Sequence, residues 1–292
     1  MGGESVSIIV PAYNEEAALA GDLDGLLDAL HATSYDWEII VVDDGSTDGT
    51  AAVGKAYAEA NPEVSILSHP YNMGGGASRN TGIKASRGDI IAVVDADATY
   101  PVKDMPRLIG EMPGFDMVVG ARTKEAGTLK VLRVPAKWFI RKLASFMSGR
   151  KIPDLNSGMR VMRKDVFLKY MSILPQGHSW VSTITLAMLS SGNPVKYVAI
   201  DYYPRKGKSS FHPLKDSANY LSLVFRTITW FNPLRVFIPL FFLFLAVGLG
   251  KVIYDIFWLV HLTSTSVLLI LGALQILALG LLADLIAKRS RI

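Results

Sequence analysis

The chain has 292 residues, half of them hydrophobic, with a formal net charge of +4 and no cysteine. That length suits one large domain or two smaller ones, and the missing thiol excludes disulfides and cysteine chemistry. Charge is unevenly placed: residues 129–151 hold seven Lys or Arg and no acid, a patch that by charge alone serves phosphate, membrane or nucleic acid.

Strand-like sequence begins at Val6, so no signal peptide is expected, and Val6 breaks the myristoylation pattern. The first expected strand, residues 6–10, leads into Pro11-Ala12-Tyr13-Asn14-Glu15-Glu16 and a helix over 17–30. A second strand, 38–42, ends in Asp43-Asp44-Gly45-Ser46, where Ser46, Thr47 or Asp48 can cap a helix over 50–59. A third, 64–68, runs toward Gly74-Gly75-Gly76 and a short helix over 77–85. Strand 89–94 then ends in Asp95-Ala96-Asp97. Four strand–helix alternations argue for a mostly parallel sheet with helices on both faces. Further strands are expected at 117–119 and 195–199.

Ligands of open α/β sheets bind beyond the carboxyl ends of the strands. Two carboxylates one residue apart at such an end repel each other, and a divalent cation relieves that cost. Magnesium typically takes one or two carboxylates plus substrate phosphates, so Asp95 and Asp97 are candidate metal ligands for a phosphorylated substrate. Asp43 can take hydrogen-bond donors of a ribose or base; turn and capping chemistry is the alternative for Asp43-Asp44. The glycine triplet either admits a ligand close to the backbone or builds a turn.

Residues 236–260 and 267–287 are apolar and long enough to cross a bilayer as a two-helix hairpin. Arg226 and Arg235 precede it, Lys288, Arg289 and Arg291 follow, and the loop 261–266 has neither Lys nor Arg. The positive-inside rule then puts both ends and the N-terminal domain in the cytoplasm. Lys251 and Asp255, at i, i+4 spacing, read as a pair near the outer end that snorkels to the interface, with a polar element in the membrane for partner contact as the alternative. Gln275 is a candidate for bonding between helices, within the hairpin or between protomers of a homo-oligomer. Residues 129–150 interleave Leu132, Trp138, Phe139, Leu143, Phe146 and Met147 with the cations, as an interfacial amphipathic helix would.

The motifs Pro11-Ala12-Tyr13-Asn14-Glu15, Val41-Val42-Asp43-Asp44-Gly45-Ser46, Asn72-x-Gly74…Ala77-x-x-Asn80-x-Gly82 and Asp95-Ala96-Asp97 together resemble family-two inverting glycosyltransferases of the GT-A fold. Asp154-x-x-Ser157-Gly158-x-Arg160, Arg205-x-Gly207-Lys208-Ser209-Ser210 and the C-terminal hairpin are similar to the polyprenyl-phosphate branch, dolichyl-phosphate mannose synthases and undecaprenyl-phosphate glucosyltransferases. The resemblance implies a cytoplasmic GT-A domain over 1–231 and a hairpin over 232–292. It implies that Pro11, Ala12, Tyr13, Glu15 and Asp43, with Arg79, Asp95 and Ala96, hold the nucleotide. It implies Mg²⁺ or Mn²⁺ on Asp95 and Asp97. Many relatives follow the acidic pair with Leu-Gln, whose Gln ligates metal; here stand Ala98-Thr99, and Thr99 or water would have to substitute.

A lipid phosphate acceptor would need a cationic cradle, for which Arg122, Arg133, Lys137, Arg205 and Ser209 are candidates. Asp154 would orient a sugar hydroxyl or act as base. Gln176-Gly177-His178-Ser179-Trp180 carries Ser179 where processive synthases have Arg, which argues against a polymer synthase; His178 is a candidate sugar contact or a core residue. The expected reaction is inverting transfer of one hexose from GDP-mannose or a UDP-sugar to polyprenyl phosphate, with a membrane partner and no nucleic acid. Diacylglycerol as acceptor and a non-catalytic nucleotide-binding scaffold are the alternatives.

Overall fold

The computed structural model describes residues 5–123, 142, 145–146, 149–177, 179–204, 229–259 and 261–289. Among them seven strands form one sheet: β1 (Val6–Ala12), β2 (Trp37–Asp43), β3 (Val64–Ser68), β4 (Ile90–Val93), β5 (Met117–Arg122), β6 (Arg160–Arg163) and β7 (Val195–Ile200), in the order β3-β2-β1-β4-β6-β5-β7. β1 pairs in parallel with β2 and β4, β2 with β3, and β5 with β7. Only β6 runs the other way, antiparallel to β4 and β5.

The helices are α1 (Glu16–His31), α2 (Thr50–Ala60), α3 (Gly75–Ala85), α4 (Met105–Gly110), α5 (Lys164–Leu168), α6 (Trp180–Ser190), α7 (Leu234–Tyr254) and α8 (Ser264–Arg289). The pleat divides the sheet's side chains between two cores. Val6, Ile8, Val10, Ile39 and Val41 face one core with Leu19, Leu23, Leu26 and Leu30 of α1. Ile9, Ile40, Val42, Ile91 and Val93 face the other with Ile83 of α3, Phe167 of α5 and Trp180 of α6. Each fully buried leucine of α1 stabilises the fold by about 1.5–3 kcal/mol, so layering on both faces follows from strands apolar on both sides.

Within the described residues the expected strands and helices of the sheet domain are present, most lengthened by one to three residues, while β4 is shorter than expected at both ends; most of the expected interfacial helix over 129–150 lies outside the described residues. β6 was not anticipated. Its four residues are too few to show a period, and only its neighbours identify it as a strand. Its reversed direction matters, because the segment entering it, Asp154–Gly158, arrives at the same sheet edge where β1, β2, β4 and β5 end.

α7, with its π-helical extension to Leu259, and α8 are each 26 residues of apolar helix, about 39 Å at 1.5 Å per residue against a hydrocarbon core of about 30 Å. They pack as a hairpin. Gly280 lies against Phe237, and Gly248 against Leu269 and Ile270, the small-residue contact that lets two helices approach in lipid. Leu268, Leu282, Leu285 and Ile286 point outward. Lys251 and Asp255 do pair, but the expected snorkelling is corrected: the Asp255 carboxylate is turned inward and fully buried. It accepts from Thr263 N–H at 2.9 Å, from Thr263 Oγ1 at 2.6 Å and from the Ser266 hydroxyl. The loop is short enough for Asp255 to serve the free N–H groups where α8 begins. Gln275 is exposed and makes no hydrogen bond within the hairpin among the described residues.

Candidate active site

The loops after β1 and β2 are stapled together. Asn14, at φ +54°, accepts from Thr47 N–H at 2.8 Å and donates its own N–H to Ser46 Oγ at 3.0 Å. Glu15 N–H reaches Thr50 Oγ1 at 2.9 Å, and Gly49 N–H reaches Glu16 Oε2 at 3.0 Å. These bonds hold Tyr13, 43% exposed, beside Asp43. Asn14 and the Ser46–Thr50 turn were missed as site builders; an Asn at the end of a strand, tolerant of the left-handed region, was the available signal.

Asp43 and Asp44 make different local contacts. Asp44 accepts from Met73 N–H and Gly74 N–H at 2.9 and 2.8 Å and from His69 Nδ1 at 2.7 Å, while His69 Nε2 meets Thr81 Oγ1 at 2.9 Å. It is a strut for the glycine loop. Asp43, also buried, uses one oxygen to accept from Ser46 N–H at 3.1 Å.

The glycine triplet approaches the protein's own backbone. A Cβ on Gly74 (φ +95°) or on Gly76 would stand 2.7 Å from the Gln176 carbonyl oxygen, to which Ala77 N–H also donates at 3.0 Å. The close approach that these glycines allow is to the 175–177 segment of the chain itself.

Asp95 and Asp97 lie just past β4. Arg79, from α3, donates to Asp95 Oδ1 and lies 5.6 Å from the centre of the Trp180 ring. On the other side Gly158 leaves the space that Asp95 Oδ2 needs, since any Cβ there would collide with it. Thr99 is fully buried and donates to Asp97 Oδ1 at 2.5 Å, with Thr99 N–H on the same oxygen at 3.2 Å. The hydroxyl expected as a weak metal ligand therefore orients Asp97. Between them Ala98 takes φ +57°, costing about 1–2 kcal/mol; its N–H donates to the buried Asp22 at 3.0 Å, which holds the turn.

Along the same edge, Arg122 at the end of β5 grips Asp154 through Nε at 2.7 Å and Nη2 at 2.8 Å. Asp154 also accepts from Asn156 N–H at 3.0 Å and Arg122 N–H at 3.2 Å. Burial alone would raise its pKa, but the guanidinium and these N–H groups hold the carboxyl below the usual carboxylate range. The paired carboxylate in turn holds the Arg122 guanidinium in place. Burial would lower the Arg122 pKa, but Asp154 raises it, and the guanidinium also stacks 5.1 Å from the Tyr202 ring. The Tyr100 phenol is pushed up by burial and by the Asp95 charge, so it stays neutral and accepts from Gly158 N–H at 2.7 Å.

Pro11, Ala12, Tyr13, Glu15, Asp43, Arg79, Asp95, Ala96, Asp97, Arg122 and Asp154 thus come to one sheet edge. Arg133, Lys137, Arg205, Ser209 and His178 lie outside the described residues, as does most of the 129–150 segment. Trp180, by contrast, is a core residue donating to Asn80 Oδ1 at 2.9 Å. Arg235, at the start of α7, donates to the Phe146 carbonyl at 3.2 Å, joining the hairpin to the end of the basic segment.

A largely parallel sheet with one reversed strand, carrying an acidic pair after β4, is the architecture of a GT-A-type transferase. The chain belongs to glycosyl transferase family 2, whose model matches residues 7–171, and a GtrB C-terminal hairpin model matches 232–288; it is a glycosyltransferase. The chain is 25% identical to the dodecaprenyl-phosphate galacturonate synthase of Rhizobium johnstonii over 97% of this chain and 88% of that one. It is 27% identical to a prophage bactoprenol glucosyl transferase homolog of Escherichia coli over 97% and 94%. A dolichyl-phosphate beta-glucosyltransferase of Trichomonas vaginalis is 36% identical over 55% of this chain and 54% of its own. Among solved structures, glucosyl-3-phosphoglycerate synthase from Mycobacterium tuberculosis with phosphoglyceric acid shares the fold, at TM-score 0.60 and 19% identity over 77% and 80% of the two chains.

Proposed function

We propose that the protein transfers one hexose from a nucleotide sugar to a polyprenyl phosphate at the cytoplasmic membrane face, with inversion at the sugar carbon. The observation that carries this reading is the shared sheet edge: the acidic pair and the Arg122–Asp154 pair lie there together, in a chain whose apolar hairpin is tied by Arg235 to the end of the basic segment. The full-length bacterial relatives named above act on polyprenyl carriers by name, which supports the same acceptor here.

In this reading Asp95 and Asp97 hold Mg²⁺ or Mn²⁺. The donor set fits, being two carboxylates with one oxygen of Asp97 oriented by Thr99 and room for Asp95 maintained by Gly158. When bound, the cation neutralises the donor diphosphate and stabilises the departing nucleoside diphosphate. The protein's own residues do the rest. Tyr13 and Asp43 receive the nucleoside, Arg79 adds a cation beside the diphosphate, and Asp154 keeps Arg122 aimed along the edge. The acceptor is a phosphate monoester, largely dianionic near neutral pH, and needs no base. Its oxygen attacks the anomeric carbon as the bond to the diphosphate oxygen breaks, so alignment at the membrane surface supplies much of the rate. Both ends of the hairpin carry Lys or Arg and its loop carries none, which supports a cytoplasmic catalytic domain.

The test is release of nucleoside diphosphate by the detergent-purified protein with Mn²⁺, a panel of nucleotide sugars, and undecaprenyl phosphate, diacylglycerol, 3-phosphoglycerate or no acceptor. Release that depends on undecaprenyl phosphate with one donor is expected. Release that depends instead on diacylglycerol or phosphoglycerate would overturn the acceptor assignment, and donor binding without turnover would favour the scaffold.

A further inference from the structure

Arg160 is a charge placed where charge is expensive. It opens β6, has no solvent exposure, and has no carboxylate partner among the described residues. Its Nη1 donates to the Val181 carbonyl and to Thr185 Oγ1, both at 2.9 Å and both on α6. Its Nη2 donates to the Ser157 carbonyl, while Nε has no partner. Burial, with the nearby Arg79 charge, lowers its pKa to about 10, so it is still cationic at pH 7. Isolated buried charges are strongly disfavoured, and nothing in packing β6 against α6 requires one. An apolar side chain of this volume would serve packing alone.

The location supplies the reason. Ser157 lies between Asp154, whose carboxylate grips Arg122, and Gly158, whose missing Cβ makes room for Asp95. The same loop is held from outside by Ser182 Oγ on Asn156 Oδ1 at 2.9 Å and by the Tyr100 hydroxyl on Gly158 N–H. Arg160 is its inner anchor, a rigid fork joining the loop carbonyl to α6.

We infer that Arg160 is a positioning residue that sets the Asp154–Gly158 loop from beneath, and so fixes the acidic pair's surroundings and the Arg122 guanidinium relative to each other. The inference rests on the metal and acceptor roles proposed above. It goes beyond them in assigning the registration of the two half-sites to a residue that touches neither substrate.

The test compares wild type with Arg160→Met, Arg160→Lys and Thr185→Val, the last keeping the cation and removing one of its α6 anchors. Three quantities are read: melting temperature, Mn²⁺ binding followed by electron paramagnetic resonance with nucleoside diphosphate present, and kcat against KM for donor and lipid. A loop displaced by about 1 Å costs up to about a hundredfold in rate. Arg160→Met is therefore expected to lose about 10- to 100-fold in kcat and to bind Mn²⁺ more weakly. At saturating Mn²⁺ the donor KM should change little, since the Tyr13–Asp43 side that receives the nucleoside is untouched. Arg160→Lys should recover part of kcat, and Thr185→Val should fall between. If Arg160→Met fails to fold, Arg160→Lys and Thr185→Val carry the test: unchanged kcat and Mn²⁺ binding in both would overturn the inference. So would losses in kcat that only track the fall in melting temperature. Wild-type protein that bound no Mn²⁺ would instead overturn the metal reading, a result distinguishable from the first two.

Discussion

The sheet edge and the hairpin apex each bury an aspartate beside a cation, and the two are built for different ends. At the edge, Asp154 is gripped by a guanidinium with two bonds and backed by two backbone N–H groups. At the apex, Asp255 takes an ammonium, two hydroxyls and one N–H. Arginine offers a planar fork that fixes direction, whereas lysine offers a point charge on a flexible stem. A site that must aim a cation at a phosphate uses the first. A turn that must only close two helices uses the second. The contrast teaches that a buried Asp–cation pair is not itself a functional signal; what surrounds it and which cation answers it decide the matter.

The sharpest break in this contrast would come from the acidic pair at the edge. Asp97→Asn is expected to lower transfer about a hundredfold or more with the melting temperature nearly unchanged, read by nucleoside diphosphate release. Retained turnover would remove the metal role and leave the edge looking no more functional than the apex.

Asp154→Asn should cost less. It leaves the half-buried Arg122 without its counter-charge but keeps a hydrogen-bonding amide, so a loss of about 1–3 kcal/mol is expected in thermal unfolding, with reduced kcat. The pH dependence separates charge from shape. Because the folded pKa of Asp154 is depressed, its stabilisation is fully present above the unfolded value of about 3.9 and is lost as pH falls through the folded value. The wild type should therefore show no contribution from this group to a stability change between about pH 5 and 8, and the substitution should remove part of its decline in strong acid. Activity that instead rose with pH through the neutral range and lost that limb in Asp154→Asn would identify Asp154 as a base.

The smallest effect on chemistry is expected at the apex. Asp255→Asn should lower the melting temperature in detergent and increase proteolysis at the loop 261–266, with donor KM and kcat close to wild type. A kinetic loss as large as that of Asp154→Asn would show that the apex is coupled to the site.

Much of the edge was legible beforehand because it is built from local rules. An apolar run followed by Asp-x-Asp announces a strand and an acidic end, and apolar stretches of more than 20 residues announce spans, since each signal is carried by neighbours in the chain. Neither Asp44 nor Thr99 could be assigned that way. Asp44 finds its partners at His69, Met73 and Gly74, and Thr99 finds Asp97 only because Ala98 turns through a left-handed conformation held by Asp22. The glycine triplet is compatible in sequence with a ligand approach or a turn, and what packs against it comes from a segment a hundred residues away.

The sequence by itself determined the strand–helix alternation, the acidic end of β4, the apolar hairpin and the charge asymmetry about it, because short-range periodicity and residue chemistry suffice for each. Tertiary structure alone decided that four residues at Arg160–Arg163 become a reversed strand, that Asp154 and Arg122 become one ion pair, and that Asp255 faces inward. These depend on which distant groups can satisfy a buried charge or an unpaired backbone, and such partners are fixed only when the whole sheet and hairpin are packed.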